Sequence, residues 1–148
     1  MSNKDVMKDT NPKDAVGIKK APFSTVSAAV NAELGIALLE GARKYGRHNY
    51  RIAGVRASVY YDAALRHLAK WWEGEDTDRD SGLSHITKAI ASLVVFRDAQ
   101  ICDNWIDDRP PPIPADFIEN LNKTAAEIIE RYPNALPPFT NKDKKHDN

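Results

Sequence analysis

Residues 57–105 read ASVYYDAALRHLAKWWEGEDTDRDSGLSHITKAIASLVVFRDAQICDNW, two runs free of proline parted by a charged turn. From Ala57 to Glu73 there is no Gly or Pro, and Gly74 then breaks the run. Val59, Ala63, Leu68 and Trp72 recur at helical spacing, which predicts a helix packed on one face. A second helix opens near Ser84, a good N-cap, and continues through ITKAIASLVVFRDAQICDNW. Its centre, Ile86 to Phe96, is apolar on most sides, so it is expected to be the most buried helix. The intervening EGEDTDRDSGLSH sets five carboxylates, at 73, 75, 76, 78 and 80, ahead of a glycine and His85. Like charges that close repel one another. Solvent, basic neighbours or a metal ion must offset the repulsion.

Upstream of this hairpin, residues 24–45 (STVSAAVNAELGIALLEGARKY) are rich in Ala, Leu and Glu and form a further helix, with Ser24, Thr25 or Ser27 as N-cap. Gly46 ends it. A basic, aromatic loop, GRHNYRIAGVR, leads to Arg56. Residues 1–23 carry Pro12, Gly17 and Pro22 with little periodicity and read as an extended arm. Downstream, DDRPPPIP forbids helix and reads as a stiff linker. A fourth helix is expected from about Pro114 to Tyr132, with Phe117, Leu121, Ala125 and Ile128 in register, before a charged tail. There is no convincing strand. The expectation is an all-α protein, a three- or four-helix bundle organised as an arm (1–23), a helical core (24–109) and a linker, helix and polar tail (110–148).

Composition narrows the function. With 21 basic and 21 acidic side chains among 148 residues the formal charge is zero, so no global field favours a nucleic-acid polymer or an anionic membrane. The single cysteine, Cys102, rules out an internal disulfide and a cysteine-built zinc site, and fits a reducing compartment. No apolar run approaches membrane-spanning length, and the polar start is no signal peptide. These features predict a soluble, cytoplasmic protein. The helices enclose only a thin core, and Trp71, Trp72 and Trp105 would be better covered by a second subunit, so a homodimer or homotetramer is expected.

The acidic turn first suggests a calcium loop, because Asp76, Asp78 and Asp80 alternate. The register fails: with Asp76 first, the sixth position is Ser81 where glycine is needed, and the twelfth is Thr87 where a bidentate Glu belongs. Mg²⁺ or Mn²⁺ asks less, since two or three carboxylates from different helices suffice. Glu33 and Glu40, seven residues apart, share a helix face, although Glu40 has an ordinary ion-pair partner in Lys44. Asp62 has one in Arg66. His67 in the middle of one helix and His85 at the start of the next could face one site. The loop around residue 50 gathers Lys44, Arg47, Arg51 and Arg56 with Tyr45, His48, Asn49 and Tyr50. Guanidinium groups suit phosphates and aromatic rings suit a base. No GxxxxGK[ST], GxGxxG or GxSxG occurs, so P-loop, dinucleotide and serine-hydrolase chemistries lack support.

Three segments, NPKDAVGIKKAPFSTVS, LEGARKYGRHNYRIAGVRAS and YYDAALRHLAKWWEGEDTDRDSGLSHITKAIASL, resemble the bacteriophage family described as dATP/dGTP diphosphohydrolases, placed near the MazG-like all-α nucleoside triphosphate pyrophosphohydrolases. The resemblance covers about Asn11 to Pro112. It implies a MazG-like bundle that removes pyrophosphate from a purine (deoxy)nucleoside triphosphate with Mg²⁺ or Mn²⁺. The wider MazG-like pattern, EExxE followed by ExxD on the next helix, is not reproduced: Glu33 and Glu40 lack the tight pair, and Val59-Tyr-Tyr-Asp62 begins with an apolar residue. Either helical hairpin could therefore hold metal. On this reading Glu40, Asp62, Glu75 and Asp78 are the expected metal ligands. Lys44, Arg47, Arg51 and Lys88 would bind phosphates, and Asn49 and Tyr50 the base or sugar. His67 and His85 would serve metal, water or proton transfer. Two other classes compete: a nucleotide-binding protein that sequesters a purine nucleotide without cleaving it, and a phage assembly adaptor.

Overall fold

Two serines open the helices that frame the molecule. Ser27 Oγ accepts from the Val30 amide at 3.4 Å and Ser84 Oγ from the Thr87 amide at 3.3 Å, each meeting a donor that a helix start leaves unpaired. In the computed structural model, which describes residues 11–144, the elements in order are α1 (Pro12–Gly17), α2 (Ala28–Tyr45), α3 (Tyr50–Ala53), β1 (Val55–Arg56), α4 (Ala57–Trp72), α5 (His85–Ile101), β2 (Trp105–Ile106) and α6 (Phe117–Arg131). Short 3₁₀ turns occupy Phe23–Thr25 and Asn141–Asp143. The expected all-α class holds. The first ten residues of the expected arm and the last four of the tail lie outside the described residues. Within the arm, Asn11 caps α1 by accepting from the Lys13 amide at 3.0 Å, and Pro12 follows at the first helical position, where a missing N–H costs nothing.

The chain divides into one unit up to Arg109 and another from Pro110. In the first, α5 packs along both α4 and α2. Helix α5 buries His85, Thr87, Ala89, Ala91, Val95 and Ala99, as expected of the most apolar helix. Helix α4 corrects the sequence reading. Its packed seam is Ala57, Tyr60, Ala64 and His67, while Val59, Leu68 and Trp72 of the expected stripe are 54%, 40% and 78% exposed. Small residues on the seam let α4 approach α5 closely; the greasier stripe is left outside.

The second correction is a strand pair. β1 and β2 run parallel, with Val55 opposite Trp105 and Arg56 opposite Ile106. This closure brings Val55 onto Val95 and Ala99, with Leu38, Tyr50, Tyr60, Phe96 and Trp105 packed around them. Phe96 meets Trp105 edge-to-face at 5.4 Å. Asn104 locks the approach by donating to the Arg51 carbonyl at 2.7 Å. Gly54, at φ 78°, is needed there, because a Cβ would sit 3.0 Å from Asn104 Oδ1. Asp108 accepts from the Ser58 amide at 2.8 Å and from its hydroxyl, so a residue beyond β2 caps α4.

In the second unit, α6 is amphipathic, with Phe117, Leu121 and Ile128 along one stripe and no residue buried. No helix among the described residues is long and apolar enough to cross a membrane.

Candidate functional site

The acidic turn between α4 and α5 is tightly folded rather than splayed by its charge. Gly74, at φ 98°, ends α4. The chain then closes on itself: the Asp78 amide donates to the Leu83 carbonyl at 2.8 Å, Gly82 N to the Asp78 carbonyl at 2.7 Å, and His85 N to the Asp76 carbonyl at 3.0 Å. Thr77 and Ser84 form an antiparallel bridge across the turn. Arg79 pairs with Glu75 at 3.0 Å, which offsets part of the repulsion.

This folding delivers Asp78 to two histidines. His67 stands on the packed seam of α4, and His85 is the first residue of α5, fully buried beneath the turn. Their Nδ1 atoms are 2.9 Å apart, and one ligand atom from each of His67, Asp78 and His85 lies within 4.8 Å of the others. Glu75 closes the far side: its Oε2 is 3.5 Å from His85 Nε2, an atom that is buried without a hydrogen-bond partner among the described residues. Burial, then the neighbouring His85, lower the His67 pKa, while Asp78 opposes the shift. The Asp80 amide, donating to Asp78 Oδ1 at 3.0 Å, holds the Asp78 carboxyl below its usual range, with Lys88 and the two histidines adding to the effect. His67 is thus favoured as a neutral imidazole and Asp78 as a carboxylate. Both are the forms that bind cations.

Helix α2 supplies the next wall. Glu33 Oε1 accepts from Thr87 Oγ1 at 3.0 Å, tying α2 to the first turn of α5. Glu40 pairs with Lys44 at 2.5 Å; the hydrogen bond and charge of Lys44 lower the Glu40 pKa, Lys88 contributes in the same sense and Asp78 in the opposite one. Glu40, Lys44, Asp78, His67, His85 and Lys88 therefore form one charge neighbourhood. Glu75 borders it.

Other expected residues fall elsewhere. Asp62 is exposed on α4, off the seam that carries His67, and has no hydrogen bond or ion pair among the described residues. Arg51 makes a two-pronged pair with Asp98 of α5, at 2.7 and 2.9 Å, and so anchors α3 to the bundle. Tyr50 packs on the core and its hydroxyl meets His48 Nδ1 at 3.2 Å; burial raises its pKa, helped by Asp98. Asn49 is half-buried at the start of α3 and Arg47 is exposed. The sequence reading assigned no role to Asp98, and met Thr87 only as a failed calcium-loop position. Thr87 had a usable signal, since it lies two residues beyond His85 on the most apolar helix.

A family model described as dATP/dGTP diphosphohydrolase, N-terminal, matches residues 10–109, a range that contains the whole cluster. A Salmonella phage PMBT28 protein named dATP/dGTP diphosphohydrolase is 32% identical over 75 residues, covering 51% of this chain and 25% of that relative. The chain thus spans a quarter of the relative's length. No solved structure matches.

Proposed function

Because the chain belongs to the dATP/dGTP diphosphohydrolase N-terminal family, we propose that it hydrolyses purine deoxynucleoside triphosphates, dATP and dGTP, to the monophosphate and pyrophosphate in phage nucleotide metabolism, with a divalent ion such as Mg²⁺ or Mn²⁺. The observation that carries this reading is the convergence of His67, Asp78 and His85 beside Glu40 and Lys88, inside the matched segment. The donor set fits a cation: a carboxylate and two imidazole nitrogens share one small volume, and Glu40 and Glu75 stand near enough to add negative charge. A bound divalent ion would neutralise triphosphate oxygens and make a water a better nucleophile.

The chain's own residues account for the rest. Lys88 on α5, with Lys44 in the last turn of α2 and Arg47 just beyond it, would offer positive charge to the phosphates as negative charge shifts toward the departing pyrophosphate. Glu40 keeps Lys44 oriented across the α2 face. Asn49 and Tyr50, at the start of the α3 turn that Arg51 clamps to Asp98, would meet the base or sugar. The overall reaction adds water across the bond between the α-phosphorus and its bridging oxygen. The hydroxyl stays on the monophosphate, and pyrophosphate leaves with the bridging oxygen.

A homodimer or homotetramer completes the fold on this reading. On α4 a second stripe, Tyr61, Leu65, Leu68 and Trp72, lies exposed, whereas among the described residues the buried apolar core contains only alanines and two valines. The reaction is tested by incubating the protein with dATP, dGTP and their ribose and pyrimidine counterparts, with Mn²⁺, Mg²⁺ or EDTA, and resolving products by ion exchange. Purine monophosphate and pyrophosphate appearing only with metal is the expected result. Nucleotides left intact throughout would overturn the proposal.

A further inference from the structure

His85 is the most secluded polar side chain in the described fold, and nothing in helix packing requires an imidazole there. It is fully buried at the first position of α5, with one ring nitrogen 2.9 Å from His67 Nδ1 and the other 3.5 Å from a Glu75 carboxylate oxygen. Burying an imidazole costs free energy unless both ring nitrogens are used. A hydrogen bond between two histidines uses one nitrogen of each ring and needs one proton between them. It makes no use of the nearby Asp78 carboxylate beyond the bond that its Oδ1 accepts from the Asp80 amide. A cation placed between the rings uses all three donors.

Metal–nitrogen bonds of about 2.0–2.1 Å put two neighbouring nitrogens about 2.9 Å apart at a right angle and about 3.3 Å apart in a tetrahedron. The observed 2.9 Å falls at the lower end of that range, so the pair needs little movement to chelate. Glu75, opposite the metal-facing nitrogen of His85, is the partner that usually fixes the ring and its tautomer in such sites. Arg79, 3.0 Å from Glu75, holds the carboxylate in turn.

We infer that the ion at this site is bound by His67 Nδ1, His85 Nδ1 and Asp78, with Glu75 as the positioning residue behind His85, and that it is an imidazole-preferring first-row transition ion rather than Mg²⁺. The inference deepens the proposed reading of this cluster as the reaction's metal site. Two nitrogens among three donors suit Co²⁺, Fe²⁺ or Zn²⁺; Mg²⁺ prefers an all-oxygen octahedron and retains its waters. Mn²⁺ ranks between them, at the weak end of the transition series.

The probe is Co²⁺ alone, titrated without nucleotide into the full chain stripped with EDTA, and followed by visible absorption and calorimetry. One Co²⁺ per chain is expected, displaced by Zn²⁺ and not by excess Mg²⁺. Because His85 is buried and its replacement could unfold the chain, the variants are His67→Gln and Glu75→Gln, each checked for helical circular dichroism. His67→Gln should abolish the cobalt spectrum. Glu75→Gln should weaken Co²⁺ binding by about 10- to 100-fold while leaving the metal-free melting curve in place. Binding as tight in His67→Gln as in the parent, or displacement of Co²⁺ by equimolar Mg²⁺, overturns the inference. Stoichiometric Co²⁺ binding in a chain that cleaves no nucleotide upholds it and removes the hydrolase reading. Mg²⁺-supported hydrolysis that survives in His67→Gln does the reverse.

Discussion

Gly54→Ala probes the joint between α3 and the β1–β2 pair. Gly54 adopts φ 78° and ψ 172°, a region open in practice only to glycine, and an L side chain held there costs about 1–3 kcal/mol. The new Cβ would stand 3.0 Å from Asn104 Oδ1 and 3.3 Å from the Asn104 carbonyl, one of them backbone, so the β2 segment cannot simply rotate a side chain away. Displacing Asn104 also sacrifices its 2.7 Å hydrogen bond to the Arg51 carbonyl, worth about 1 kcal/mol. Together these give a destabilisation of about 2–4 kcal/mol. Urea unfolding followed by circular dichroism should show a lower midpoint with an unchanged slope. A loss below about 0.5 kcal/mol, the range of an ordinary surface substitution, would refute the claim that β1 and β2 are locked through Gly54 and Asn104.

Leu65→Glu, on the exposed stripe of α4, should convert a dimer or tetramer to monomers in light scattering after gel filtration, with helix content retained; an unchanged mass would remove that stripe from the interface. Acid sensitivity follows from Asp98, whose carboxyl the Arg51 hydrogen bond holds below its usual range. Its stabilising contribution is complete above the unfolded carboxylate pKa of about 4 and is lost as pH falls through the lower folded value, so Asp98→Asn should flatten the stability profile in that acid window and leave its shape near neutrality unaltered. Lys88→Met should raise the KM for dGTP and reduce kcat while sparing the melting temperature, because Lys88 is half-buried and has no ion-pair partner among the described residues.

The helices were legible because each carries its own punctuation: Ser27 and Ser84 as caps, Gly46 and Gly74 as stops. Periodicity misjudged the inward face of α4, since hydrophobicity alone selects Leu68 and Trp72, whereas close helix packing selects Ala57 and Ala64. The β1–β2 pair was invisible, because each strand has two residues and its pairing spans fifty positions of sequence. The same non-locality hid the Arg51–Asp98 pair, 47 residues apart, so Arg51 read as a free phosphate ligand. His67, Asp78 and His85 could be singled out by residue type and by their place around one turn. Their mutual approach depends on the seam register of α4, which composition does not encode.

Hydrolysis at the His67–Asp78–His85 cluster is measured by following dGTP in the presence of the metal-loaded chain and of its Asp78→Asn variant, with phosphorus NMR identifying the products. The parent chain should yield dGMP and pyrophosphate, and the variant, with its fold retained, almost none. Release of dGDP and phosphate, no turnover by the parent, or equal turnover by Asp78→Asn would contradict it.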